Sequence, residues 1–271
     1  MNWIDALPDN RRRGSFPRCL IVTDGEPGDV AHRLETLVSL PELRITANDH
    51  WMPCGVPQRG PDGEWDLSPT AEAELGKATQ FLTDEQRHAV TDWWLAENHT
   101  SARTPNWDIA STCTIEGKSG LLLIEAKAHD EELNAESSGK RLDKNASARS
   151  IRNHASIGQA IAEANTELVI ETGFPWTLDR DSHYQISNRF AWSWKLTALG
   201  FPVVLVYLGF LDANEMSDRG APFSDHGAWE ALVRSHNALG VPAEVWGQKL
   251  WLNGQVFVPL IRSMTVPLDP T

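Results

Sequence analysis

Cysteine is scarce in this chain of 271 residues: Cys19, Cys54 and Cys113 are odd in number and far apart. That excludes a disulfide-framed secreted domain and points to reduced, mostly buried thiols in a cytoplasmic protein. Long apolar runs are missing as well. The longest, Pro202 to Leu211, is far short of the roughly 20 residues that cross a bilayer, so no membrane association is expected. Met1-Asn2-Trp3-Ile4-Asp5 carries an acid early and no apolar stretch, so no secretory leader is expected. Positive charge is in deficit: 24 Lys and Arg against 37 Asp and Glu leave a net −13. Coating by nucleic acid through bulk charge is thereby excluded, and any phosphate contact has to be local or bridged by metal. There is no glycine-rich phosphate loop ending in Gly-Lys-Ser/Thr, no His-Glu-X-X-His, no Gly-X-Ser-X-Gly and no Cys-X-X-Cys. ATP hydrolysis, zinc proteolysis and α/β-hydrolase chemistry therefore have no support.

What is present reads as a globular chain. Hydrophobic residues at 41% and charged residues at 23% are ordinary for one, and the length allows one large or two small domains. A strand is expected at Cys19–Thr23 and a helix at about Val30 to Leu40, with Pro41 as its stop. Asn48 to Pro69, dense in Gly, Pro and Asp, reads as a long irregular connection. This shift divides the chain into an N-terminal α/β extension, 1–75, packed on a core, 76–271. Thr83-Asp84-Glu85-Gln86 has capping-box spacing and should open a helix running to about Glu97. Trp107 to Ile115 and the apolar run Leu121–Ile124 flank turn residues and predict a β-hairpin. Ile157, Ile161, Ala164 and Leu168 mark one helix face. A second helix, capped near Asp181 or Ser182, should end at Gly200. Val203 to Phe210 is a strand buried on both faces, Trp229 to Leu239 a further helix, and Asn253-Gly254 a hairpin turn. The order predicts an α/β fold, a central mixed β-sheet flanked by helices.

The chemistry concentrates at Asp108 and Glu125-Ala126-Lys127. Residues two apart on a strand share a face, so Glu125 and Lys127 point together and Ala126 points away. Four large apolar residues precede them, so this strand is central and its charges lose hydration, a cost that has to be offset. With a two-residue loop at Gly117-Lys118, paired residue numbers sum to 235. Asp108 then faces Lys127, and Glu125 lies diagonally across at about 7–8 Å between Cα atoms. Two neighbouring carboxylates repel unless a cation separates them. Mg²⁺ suits that position, because it takes a few oxygen ligands and keeps waters for a phosphate. The lysine adds a second point charge to orient water and phosphate. An ion-pair network among the same three side chains, holding a hairpin end, is the alternative.

Asn106-Trp107-Asp108, the hairpin and Ile124-Glu125-Ala126-Lys127 resemble the PD-(D/E)XK superfamily, the restriction-endonuclease-like nucleases, over roughly Thr83 to Phe210. The resemblance implies a restriction-endonuclease-like core and a metal-dependent nuclease acting on nucleic acid, with DNA the favoured substrate. It also implies Asp108 and Glu125 as metal ligands for Mg²⁺ (Mn²⁺ expected to substitute), the Ala126 carbonyl as a third ligand, and Lys127 as the group that positions the water. A Glu on the preceding helix would complete the site, and Glu85 and Glu97 are both candidates. Pro105 stands three residues before Asp108 rather than beside it, a departure from the family pattern.

Lys140, Arg141, Lys144, Arg149 and Arg152 form the one locally basic stretch and are candidates to grip phosphates. Gln185 and Arg189 lie on a polar stripe at helical spacing and join them as candidate nucleic-acid contacts. Trp192 and Trp194 cannot face one way, so one of them is expected to be exposed for stacking. The alternative function is a catalytically silent nuclease-fold module that binds protein or nucleic acid in a larger complex. The oligomeric state is open, a homodimer included.

Overall fold

In a computed structural model of the chain, residues 2–98, 102–136 and 138–268 are described. Helices α1 (Trp3–Ala6), α2 (Ser15–Val22) and α3 (Pro27–Val38) open the chain. The short strands β1 (Leu43–Arg44), β2 (Trp51–Met52), β3 (Gln58–Arg59), β4 (Trp65–Asp66) and β5 (Ala73–Glu74) punctuate the irregular connection. Then come α4 (Asp84–Trp94), β6 (Asn106–Trp107), β7 (Ile109–Ile115) and β8 (Lys118–Lys127). Helices α5 (Asp130–Glu136), α6 (Ala148–Thr172) and α7 (Tyr184–Ala198) lead to β9 (Val203–Leu211). Helix α8 (His226–Asn237) precedes the closing hairpin of β10 (Leu250–Leu252) and β11 (Gln255–Thr265).

The fold is α/β, a curled mixed sheet flanked by helices. Its strand order is β1-β7-β8-β9-β11-β10, with β2 also on β7. Pairs β8–β9 and β9–β11 are parallel, and the outer pairs are antiparallel. A parallel centre needs cover on both faces. Leu121, Leu123 and Tyr207 pack with α4, α6, α7 and α8 on one face. Leu122, Ile124 and Ala126 pack with α2 and α3 on the other. Residues 1–75 thus supply the far layer and two short strands of the same sheet.

Three local expectations change. Cys19–Thr23 is not a strand: it belongs to α2 and its C-terminal cap. A short apolar run fits either period, and here Cys19 and Val22, three apart, both enter the far core as a helix face would place them. Helix α4 has its capping box at Thr83 and Gln86 but ends at Trp94, where Leu95 turns extended (φ −119°, ψ 126°). The β7–β8 turn is Glu116-Gly117, with φ 50° and 77°, and Ile115 pairs Lys118. Positive φ at both central residues is the geometry of a type I′ hairpin turn, whose twist matches the flanking strands. The register sum is 233, not 235 (109 + 124). Both sums are odd, so no side chain changes face.

Trp192 and Trp194 are both buried, against the expectation that one faces solvent. Helix α7 lies between the sheet and α6, and its two indoles pack on Trp93 and Trp94, with Trp94–Trp192 centroids 5.8 Å apart. No helix among the described residues is long and apolar enough to cross a membrane.

Candidate active site

Glu125 and Lys127 project from the carboxyl end of β8, beside β9, toward the layer that holds α7. Ala126 packs in the opposite layer. The register brings Asp108, in the bend between β6 and β7, opposite Glu125 (233 − 108 = 125). Asp108 is held there by the Ala126 N–H, which donates to its Oδ2 at 2.7 Å. The hairpin therefore places two carboxylates and an ammonium at one strand end.

Glu125 is only 3% exposed, and cations engage both of its oxygens. Lys127 Nζ lies 2.6 Å from Oε1, and Arg189 Nε donates to Oε2 at 2.7 Å. Arg189, on α7, also stacks over the Trp107 ring at 4.6 Å. Burial works to raise the Glu125 pKa, but Arg189 and Lys127 prevail and hold it at about 2. Asp108 is displaced the other way, up to about 8, by burial first and the Glu125 charge second, although it keeps some access to solvent. The Lys127 charge and the Ala126 N–H pull Asp108 back down without overcoming burial and Glu125.

Glu72 stands nearby, its Oε2 accepting from Asn106 Nδ2 at 3.1 Å and its charge raising Asp108. Burial pushes up the Cys19 thiol on α2, and four carboxylates add to the rise: Asp108, Glu72, Glu125 and Glu132. All four therefore gather around one end of the sheet. Nothing in the sequence marked Glu72, which lies in the irregular connection. Arg189 was legible as a polar residue on α7 but not as the partner of Glu125.

The other expected residues fall elsewhere. Glu97 lies past the end of α4, ion-paired with Arg149 and Arg152 of α6. Glu85 is exposed in the first turn of α4. Glu72, rather than either, is the further carboxylate whose charge reaches Asp108. Arg189 is 8% exposed and committed to Glu125, so it is not a surface contact for a strand. Arg149 and Arg152 spend their charge on Glu97. Lys140 and Arg141 line a cavity at the start of α6, Lys144 is exposed, and Gln185 is half-buried one turn before Arg189.

Among the described residues no three His, Cys, Asp or Glu side chains are grouped to hold a metal ion. The donor set still suits a hard divalent cation: two carboxylates, with the Ala126 carbonyl on the same strand. The fit carries a condition. Glu125 has to release Lys127 or Arg189 from one oxygen before that oxygen can serve a metal. No family model, curated protein or solved structure matches the chain.

Proposed function

We propose that the chain is a metal-dependent nuclease that hydrolyses phosphodiester bonds of nucleic acid, with DNA favoured. In this reading 76–271 form a PD-(D/E)XK-like core, and 1–75 an extension that lends Glu72 to the site. The observation that carries it is the convergence of Asp108, Glu125 and Lys127 on one face at the end of a central strand. Three free thiols accord with a reducing, cytoplasmic setting.

Asp108, Glu125 and the Ala126 carbonyl would hold Mg²⁺ or Mn²⁺. Bound there, the ion supplies a water of lowered pKa and a positive centre for charge developing on phosphorus. The Ala126 N–H fixes the Asp108 carboxylate, and Arg189 fixes Glu125. Lys127, aligned by Glu125, directs its ammonium protons to the attacking water and to a phosphate oxygen. The phosphodiester enters beside Asp108, the member of the trio least covered.

The informative substitutions are Asp108→Asn and Lys127→Gln, because Glu125→Ala would strand two buried cations and endanger the fold. Purified protein should cleave single-stranded, double-stranded or branched DNA or RNA only with Mg²⁺ or Mn²⁺. Each substitution should slow cleavage by at least about a hundredfold. No metal-dependent cleavage of any of these substrates would sink the assignment.

One observation favours the second reading, a silent nuclease-fold module: both Glu125 oxygens are already satisfied by cations. Calorimetric titration with Mn²⁺ separates the two. Binding that disappears in Asp108→Asn supports the nuclease, and absence of binding in the wild type supports the module.

A further inference from the structure

A cavity of about 260 Å³ lies between the segment that follows α4 and the start of α6, lined by Arg103, Lys140, Arg141, Ser150, Asn153 and His154 together with apolar residues. Three of these are cations, and no carboxylate lines the space. Carboxylates outnumber cations 37 to 24 in this chain, so an acid-free cationic cavity runs against its composition. The neighbouring arginines show the contrast. Arg149 and Arg152, on the same helix, are neutralised by Glu97, and Arg180 by Asp181. Arg103, Lys140 and Arg141 have no ion-pair partner among the described residues. Like charges gathered without a counter-ion repel, and a bound anion offsets that cost.

The walls are fixed by other bonds. The Asn153 side chain accepts from the Glu97 N–H at 2.7 Å and donates to the Glu97 carbonyl at 2.9 Å, which ties the segment after α4 to α6. His154 Nε2 lies 2.7 Å from the Lys140 carbonyl; a carbonyl only accepts, so Nε2 carries the proton. The Lys140 ammonium rests over the Tyr184 ring at 4.4 Å. Tyr184 opens the helix that carries Arg189 to Glu125, about 7.5 Å of rise further on. Arg103 is five residues before Asp108, a reach of at most about 17 Å. These bounds put the cavity within the span of a few nucleotides from the candidate active site.

We propose that this cavity binds a phosphate group of a nucleic-acid strand, held by Arg103, Lys140 and Arg141. That the phosphate belongs to a nucleic-acid strand rests on the nuclease reading; that the cavity takes phosphate does not. The test is anisotropy of a labelled 12-nucleotide single-stranded DNA against the full-length protein, in EDTA so that nothing is cleaved. Arg103→Gln/Arg141→Gln should weaken binding about tenfold and lower the slope of log K against log salt by about 1.4, at about 0.7 per contact. Arg149→Gln/Arg152→Gln, whose charges are already matched, should change the slope little. Millimolar inorganic phosphate should compete with the DNA in the wild type and not in Arg103→Gln/Arg141→Gln. An advantage of 5′-phosphorylated over 5′-hydroxyl DNA that this double variant loses would identify a terminal phosphate. Equal affinity for the two strands, with the arginine effect intact, would identify an internal one. An unchanged slope in Arg103→Gln/Arg141→Gln, or an equal fall in both double variants, would overturn the proposal. A protein that binds DNA through these arginines yet cleaves nothing would keep the phosphate site and lose the nuclease.

Discussion

Burial and the Glu125 charge push the Asp108 carboxyl up to about 8, while Arg189 and Lys127 hold Glu125 at about 2. The first displacement has a consequence for stability. An unfolded aspartate titrates near about 3.9, so between there and about 8 the native state binds the extra proton. Asp108 therefore contributes stability that is complete below about pH 4 and lost as pH rises through about 8. With chelator present, the wild type should melt at progressively lower temperature than Asp108→Asn as pH goes from 5 to 8.5. Adding Mn²⁺ should raise the melting temperature of the wild type and leave the variant unmoved. A variant that melts below the wild type at pH 8.5 in chelator would contradict the protonation assigned to Asp108.

The end of β8 depends on a neighbour without a side chain. Lys127 pairs with Gly209 on β9, and a Cβ at Gly209 would lie 2.6 Å from the Trp229 indole of α8. That contact is too short, so α8 or the strand has to shift. Gly209→Ala is expected to destabilise the fold by about 1–3 kcal/mol, the range for overpacking. A lower urea midpoint with a changed tryptophan emission would report it, and a midpoint within error of the wild type would mean that the indole slides aside without cost. The same strand shows what was legible for the elements. Four apolar residues ahead of Glu125 marked β8 as central, and the alternation put Ala126 in the far layer. The exact turn was not legible, because Glu116-Gly117 and Gly117-Lys118 both offer a glycine, and strand twist chooses between them.

Across the whole molecule, Arg18 ties distant segments together. Its buried guanidinium donates to the Val266 carbonyl near the C-terminal segment, the Gly14 carbonyl and the Glu215 carboxylate. Burial works to raise the Glu215 pKa, but hydrogen bonds from Arg18 bring it below the usual range. A lowered native pKa gives stability present above the unfolded value of about 4.3 and lost as pH falls through the native one. Glu215→Gln should cost about 1.5–3 kcal/mol at neutral pH, the worth of a hydrogen bond to a charged group. The gap between wild type and variant should close in acid. A gap that persists below pH 2 would mean the carboxylate's charge is not what holds Arg18.

The sequence by itself determined the α/β class, the central place of β8 and β9, the capping box at Thr83, the Asn253-Gly254 turn, and the shared face of Glu125 and Lys127. These follow from periodicity and turn chemistry, which act over a few residues. It could not determine that Cys19–Val22 is helical, that Arg189 neutralises Glu125, that Glu72 reaches the site, or that Glu97 consumes Arg149 and Arg152. The first fails because a short apolar run fits either period. The other three join segments far apart in the chain, and which charge meets which is decided by layer packing. Desolvation works the same way. It raises both Asp108 and Glu125, and their protonation states part only because α7 covers one carboxylate with Arg189 and leaves the other partly open.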